Sequence, residues 1–235
     1  MKNLIIKSTK IHDGFERKNL GKIWDKNKFE QGAVTIQSKI VRKGKNAIRI
    51  IIHKGDKTEK RKGSKISERD ELLERKDIWS VEEKAYHYSF SIYLPENFPI
   101  VPTRLVLAQW KQDSNFSNVL VDNPVLAIRY QEGVFKITLQ ISKERTILFS
   151  TDKKMRGVWI DLVFNVKFSR KAGFVQVLMN KKEIVNYKGV TAYSERWGYK
   201  EPERFYFKMG LYRDRMQEPM TAYFDEFTKY EFKLK

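Results

Sequence analysis

The chain has 235 residues, no cysteine, and 47 lysines and arginines against 29 aspartates and glutamates, a formal net charge of +18. Without cysteine there are no disulfides, thiol nucleophiles or cysteine-ligated zinc sites, and no run approaches the ~18 apolar residues of a membrane-spanning helix. The cationic surplus concentrates polyanions and leaves nucleic acid, acidic membrane surfaces and uronate or sulfated glycans as partners to weigh.

The length fits a single domain spanning 1–235. At the start, Leu4-Ile5-Ile6 is too short for the apolar core of a signal peptide. The compartment is therefore the cytoplasm or, if a signal was removed, the extracellular space or periplasm. Along the chain, the first expected strand is Asn46–His53, followed by the charge-dense stretch from Lys54 to Lys65, KGDKTEKRKGSK. That stretch reads as a solvated loop or as a basic rim guiding an anionic polymer.

Next comes Ile66–Ile78 (ISERDELLERKDI), rich in helix formers and with Ser67 and Asp70 spaced as a capping box. Local propensity predicts a helix there. From Tyr86 onward, short aromatic and β-branched segments alternate with turn signals: Tyr86–Leu94, Arg104–Trp110, Pro124–Tyr130, Val134–Gln140, Val158–Phe168, Phe174–Met179, Arg204–Tyr212 and Thr221–Phe232. Asn180-Lys181 reads as a hairpin turn leading into Glu183-Ile184-Val185. Many short strands with few long amphipathic segments predict an all-β sandwich or barrel.

Strand parity then says which side chains converge. In Arg204–Tyr212 the apolar face carries Phe205, Phe207, Met209 and Leu211, and the polar face carries Tyr206, Lys208, Gly210 and Tyr212. Lys208 and Tyr212 lie roughly 13 Å apart along a straight strand, less if Gly210 bends it. If Trp110 is in the core, Gln109 and Lys111 project from the opposite face, and Arg129 shares parity with Val125 and Ala127. Trp79, Trp110, Trp159 and Trp197 read as core, with Trp197 also placed to stack on a sugar. Asp225 reads as a turn residue or as an oxygen ligand for a structural calcium.

The strings ERDEL (68–72), YSFSIYLPENFP (88–99), LAQWK (107–111), GVWIDLVFNVKFS (157–169), GFVQVLMNKK (173–182), FKMGLYR (207–213) and YFDEF (223–227) follow one another in order. Together they resemble the heparin lyase I and glucuronan lyase group of polysaccharide lyases over roughly residues 44–230. The resemblance implies a concanavalin-like β-jelly-roll whose concave sheet forms a substrate groove. It places Arg69–Glu71 on a groove-facing strand, against the helix that local propensity predicts. It also implies β-elimination: abstraction of the proton beside a uronate carboxylate and expulsion of the glycosidic oxygen.

That chemistry needs an acid, a base and groups to neutralise the carboxylate, and no required cofactor beyond, at most, a structural calcium at Asp225. By motif position, Tyr212 is the acid, or acid and base in turn. Lys208 holds substrate or balances charge, and Gln109 hydrogen-bonds the carboxylate. Arg69, Glu71, Arg129, Arg213 and His87 are expected substrate contacts. Where the family commonly places a histidine base, this chain has Lys111. A lysine acts as a base only if burial or nearby cations lower its pKa. The alternatives are His53 or His87 from another strand, or Tyr212 alone.

Three readings compete: a lyase cleaving an acidic polysaccharide, a glycan-binding module without a positioned base, and a nucleic-acid binder. No nucleic-acid motif, His-Glu-x-x-His, Gly-x-Ser-x-Gly or phosphate-loop lysine is present, so nucleic acid is disfavoured. A monomer is expected.

Overall fold

The computed structural model describes residues 4–60, 65–113, 119–199 and 204–234. In chain order the strands are β1 (Leu4–Ile6), β2 (Ile11–Asp13), β3 (Trp24–Asp25), β4 (Val34–Gln37), β5 (Ala47–Ile52), β6 (Glu59–Lys60), β7 (Ile66–Glu74), β8 (Ser80–Val81), β9 (Ala85–Tyr93), β10 (Leu105–Gln112), β11 (Leu126–Gln131), β12 (Val134–Leu139), β13 (Thr146–Thr151), β14 (Trp159–Lys167), β15 (Gly173–Met179), β16 (Lys182–Gly189), β17 (Arg204–Asp214) and β18 (Met220–Leu234).

They pair antiparallel into two sheets. One runs β16-β15-β14-β9-β18-β5-β4, with β1 and β2 also on β18. The other runs β13-β12-β11-β10-β17-β7-β3, with β6 on β7 and β8 on β17. Among the described residues no helix is long and apolar enough to cross a membrane.

Alternation of side chains builds the layer between the sheets. β14 buries Ile160, Leu162, Phe164 and Val166 and turns the residues between them outward, the pattern of a sheet with one solvated face. Opposite it, Trp110 of β10 packs against Phe164 at 4.6 Å, Phe207 at 4.8 Å and Tyr88 at 5.4 Å between ring centroids. Each such aromatic pair adds about 0.5–1.5 kcal/mol beyond the area it buries. Asn180 and Lys181, at φ 50° and 69°, make the two-residue turn joining β15 to β16. Both residues have the positive φ that a type I′ hairpin requires.

The segment 66–74 is a strand, β7, and only Lys76–Ile78 turns as a short 3-10 helix. Tertiary pairing overrides the helix that its composition predicts. Its acids are buried, and the three glutamates each meet a cation from another strand: Glu68 meets Arg213 at 3.1 Å, Glu71 meets Lys208 at 3.1 Å, and Glu74 meets Lys229 at 2.8 Å, while Asp70 accepts the Glu30 amide at 2.7 Å. A lone helix would leave these carboxylates in water with no such partners.

Candidate active site

β17 is the spine of the site. Phe205, Phe207, Met209 and Leu211 enter the core, and Tyr206, Lys208 and Tyr212 face a cleft of about 750 Å³ on the other side of the sheet. Beside it, the register of β10 slips between Val106 and Ala108 against both neighbours. As a result Val106 and Gln109, three residues apart, open onto the same cleft. Strict alternation would have put Val106 with Trp110 in the core.

Gly210 makes the central contact geometrically feasible. It lies opposite Glu71 with φ 144°, and a Cβ there would sit 2.3 Å from the Asp70 carbonyl oxygen. With no side chain at that level, Gln109 of β10 reaches across β17 and donates from Nε2 to Glu71 Oε1 on β7. Lys208 Nζ donates to Glu71 Oε2 at 3.1 Å, and Arg69 Nη1 stands 3.7 Å from the same oxygen. Three groups expected to meet substrate are thus held by one carboxylate that is 1% exposed. Glu71 itself does not line the cleft, and its two oxygens are taken up by Gln109, Lys208 and Arg69.

Burial opposes the ionisation of Glu71, but Lys208, Arg69 and Gln109 overcome it and hold its pKa below the ordinary carboxylate value. Lys208 moves the other way: burial, together with the Arg69 and Lys111 cations, outweighs Glu71 and lowers its pKa to about 8. Tyr212 lies two residues beyond Gly210. The guanidinium carbons of Arg69 and Arg104 stand 4.5 and 4.3 Å from its ring centroid, and Ser67 Oγ donates to its phenol oxygen at 3.3 Å. Arg129, beside Val106, donates from Nε to Thr138 Oγ1 at 3.1 Å.

Lys111 also lines the cleft, opposite Tyr206, and its Nζ donates to Asp122 Oδ2 at 2.7 Å. Burial works against its charge, yet Tyr206 and Asp122 leave its pKa raised. This contradicts the condition a Lys111 base requires. Lys111 is a cation of the cleft wall, and the lowered lysine is Lys208.

Other sequence-predicted residues lie elsewhere. Arg213 points away from the cleft, is 0% exposed, and bonds Glu68 and the Glu218 and Met216 carbonyls; it braces the fold. His87 is on the outer face of the opposite sheet, stacked on Tyr230 at 4.5 Å and bonded to Asn165 at 2.9 Å. His53 is exposed beside Asp56 at 3.3 Å. His12, the remaining histidine, bonds Thr228 at 3.0 Å, so no histidine lines the cleft.

Asp225 is buried, and its oxygens accept the amides of Arg42, Lys43 and Glu226 at 3.0, 3.2 and 2.8 Å. Among the described residues no group of three acidic, histidine or cysteine side chains could hold a metal. The Asp225 carboxylate anchors the loop carrying Arg42 and Lys43 through their amides.

Sequence reasoning missed several cleft residues. Arg104 over Tyr212 was missed because it shares the parity of Trp110 in the expected strand, and the slip between Val106 and Ala108 is what turns this end of β10 toward the cleft. Trp79, read as core, instead lines the cleft beside Tyr206, with ring centroids 4.9 Å apart. The shared parity of Tyr206 and Lys208 could have flagged Tyr206. From the basic stretch, Glu59 and Lys60 form β6 at the cleft edge, and 61–64 lie outside the described residues. Trp197 is partly exposed, with Arg196 over its ring at 5.4 Å, and does not line the cleft. Among the described residues, nine lysine and arginine side chains line the cleft against three carboxylates.

Comparison with known proteins agrees with this architecture. The chain resembles an endo-β-1,4-glucuronan lyase from the fungus Trichoderma reesei at 16% identity, covering 95% of this chain and 94% of that one, with a TM-score of 0.68. It resembles the cellulose induced protein Cip1 at 12% identity, covering 93% and 96%, with a TM-score of 0.60. Alginate lyase Aly36B matches at 10% identity over 89% and 87%, with a TM-score of 0.58. At such identities the likeness establishes the jelly-roll sandwich fold. No curated protein matches the sequence. A family model for polysaccharide lyases matches residues 12–228, nearly the whole chain. The chain belongs to the polysaccharide lyase family.

Proposed function

We propose that this lyase cleaves a uronate-containing polysaccharide by β-elimination in the cleft along β17. The observation that carries the reading is the cationic cleft in which Glu71 holds Gln109, Lys208 and Arg69 together one turn of the strand pleat from Tyr212. The substrate carboxylate is met by Gln109 and Arg69, which offset the charge that builds when the adjacent C5 proton leaves. Lys208, with its pKa lowered to about 8, is the base that takes this proton. The electron pair becomes the C4–C5 double bond, the C4–O bond breaks, and the Tyr212 hydroxyl protonates the leaving glycosidic oxygen. One proton passed from the Lys208 ammonium to the Tyr212 phenolate, directly or through solvent, restores both groups.

No redox or nucleotide group takes part in these steps. Within the family, the ordered strings that resemble heparin lyase I and glucuronan lyases, together with the likeness to the Trichoderma enzyme, support placement in that group. The test is ultraviolet absorbance of the unsaturated product during incubation with heparin, heparan sulfate, chondroitin sulfate, glucuronan, alginate and ulvan. A rise on one polymer, reduced about 10²–10⁴-fold in Tyr212→Phe, is the expected result and names the sugar class. Binding without any absorbance rise would replace the lyase by a glycan-binding module.

A further inference from the structure

Two cations of the cleft are paired with carboxylates that themselves line it. Arg69 Nη2 bonds Glu59 Oε2, and Lys111 Nζ bonds Asp122 Oδ2 at 2.7 Å. The side chains differ sharply in exposure. Arg69 and Lys111 are 12% and 20% exposed, whereas Glu59 and Asp122 are 55% and 49% exposed. The cations are built into the sheet; the carboxylates reach in from outside, Glu59 from β6 at one edge and Asp122 from the segment before β11.

Both cations lie on the cleft face of the sheet, Arg69 opposite Tyr212 and Lys111 opposite Tyr206, so they bracket Lys208 along β17. The two ends are about 20 Å apart at ~3.3 Å per residue. A chain of uronates brings a carboxylate with every sugar and meets the same two cations. Exposed ion pairs contribute little to stability, about 0–1 kcal/mol, so fold stability gives weak reason for these two of the three acids in a largely cationic cleft.

We infer that Glu59 and Asp122 are built-in competitors that stand where two substrate carboxylates bind, and that substrate displaces both from Arg69 and Lys111. They set a threshold for occupancy: a polymer with closely repeated carboxylates replaces both contacts at once, whereas a neutral glycan exchanges two ion pairs for nothing. The pair thereby selects for charge density without touching the reacting atoms. The inference rests on the proposed cleft being the polysaccharide site.

The experiment compares Glu59→Gln, Asp122→Asn and the double variant with the unaltered protein. Glu183→Gln, on the opposite sheet, controls for the gain in net charge. Mobility is measured in native gels containing alginate, glucuronan or a neutral glucan, and KM and kcat are measured on whichever polymer is cleaved. Expected are several-fold stronger retardation by the acidic polymers for each single variant, more for the double, with KM lowered in parallel and kcat within about twofold. Glu183→Gln stays with the unaltered protein, and the neutral glucan retards none. Unchanged or weaker retardation, or an equal gain in Glu183→Gln, overturns the inference. Because retardation is read without turnover, a protein that binds but produces no unsaturated product would sink the lyase reading while leaving this one decided by its own gels.

Discussion

Lys111 and Lys208 sit on neighbouring strands and both face the cleft, yet their ammonium groups are driven in opposite directions. Both are desolvated, which disfavours charge. Lys111 has Asp122 at 2.7 Å as an added anion and keeps a raised pKa. Lys208 shares Glu71 with Arg69 and Gln109 and lies near two other cations, so burial wins and its pKa falls to about 8. If the free amine takes the substrate proton, kcat/KM, which reports the free enzyme, rises with pH as one ionisation with its midpoint near 8 and levels off above it. Lys208→Ala should lose about 10²–10⁴-fold in kcat and with it that rising limb. A rate that instead falls across pH 8 would make the Lys208 ammonium, not the amine, the working form and return the base role to Tyr212. Much of this was legible from parity: a polar face bearing Lys208 and Tyr212, with Gln109 and Lys111 beside it. Which lysine is depressed was not, because that depends on Asp122, in the loop before β11, and Glu71, on β7.

At the scale of the element, β7 shows why local propensity failed. ERDELLE is a good helix sequence by intrinsic preference, but in the sheet its acids at 68, 71 and 74 meet Arg213, Lys208 and Lys229. Those partners lie more than 130 residues further along the chain, outside any local window. β5 and the strands from β9 onward, except β13 (Thr146–Thr151), were legible because alternation and turn signals are local; β13 was not read. The short strands β1 to β4 and β6 were not read, since two to four residues carry too little pattern. Arg213 was misread as a substrate contact for the same reason as β7: its partner is Glu68. Taking one member from a buried pair leaves the other charge uncompensated, at about 3–5 kcal/mol. Glu68 keeps Arg215 at 3.6 Å and the Gly55 amide at 2.7 Å, so Arg213→Met should lower the unfolding free energy by up to about that amount, read as a lowered denaturation midpoint, while leaving KM unchanged at temperatures where the variant is folded. A raised KM with an unshifted midpoint would restore Arg213 to the substrate.

Across the whole molecule, the net charge of +18 and the cationic cleft act at different ranges. The surface charge works through solvent over a Debye length, ~10 Å at 0.1 M salt and ~3 Å at 1 M, so it governs capture of a polyanion. The Glu71 cluster is buried, with Lys208 4% and Glu71 1% exposed, and such groups are screened far less. Capture and chemistry should therefore separate on a salt titration. Between low and near-molar sodium chloride, KM on an acidic polysaccharide should rise by about tenfold or more, following the loss of electrostatic steering, while kcat stays within about twofold. The charges at the cleft mouth belong to capture, so Glu59→Gln and Asp122→Asn should steepen the dependence of KM on salt by removing the exposed anions that partly neutralise its cations. If kcat fell in step with kcat/KM, salt would be reaching the reacting groups, and a closed, desolvated Glu71 cluster could not be what sets the pKa of Lys208. If neither constant moved, the charge surplus would have no part in meeting the substrate, and recognition would rest on shape and hydrogen bonds within the cleft alone.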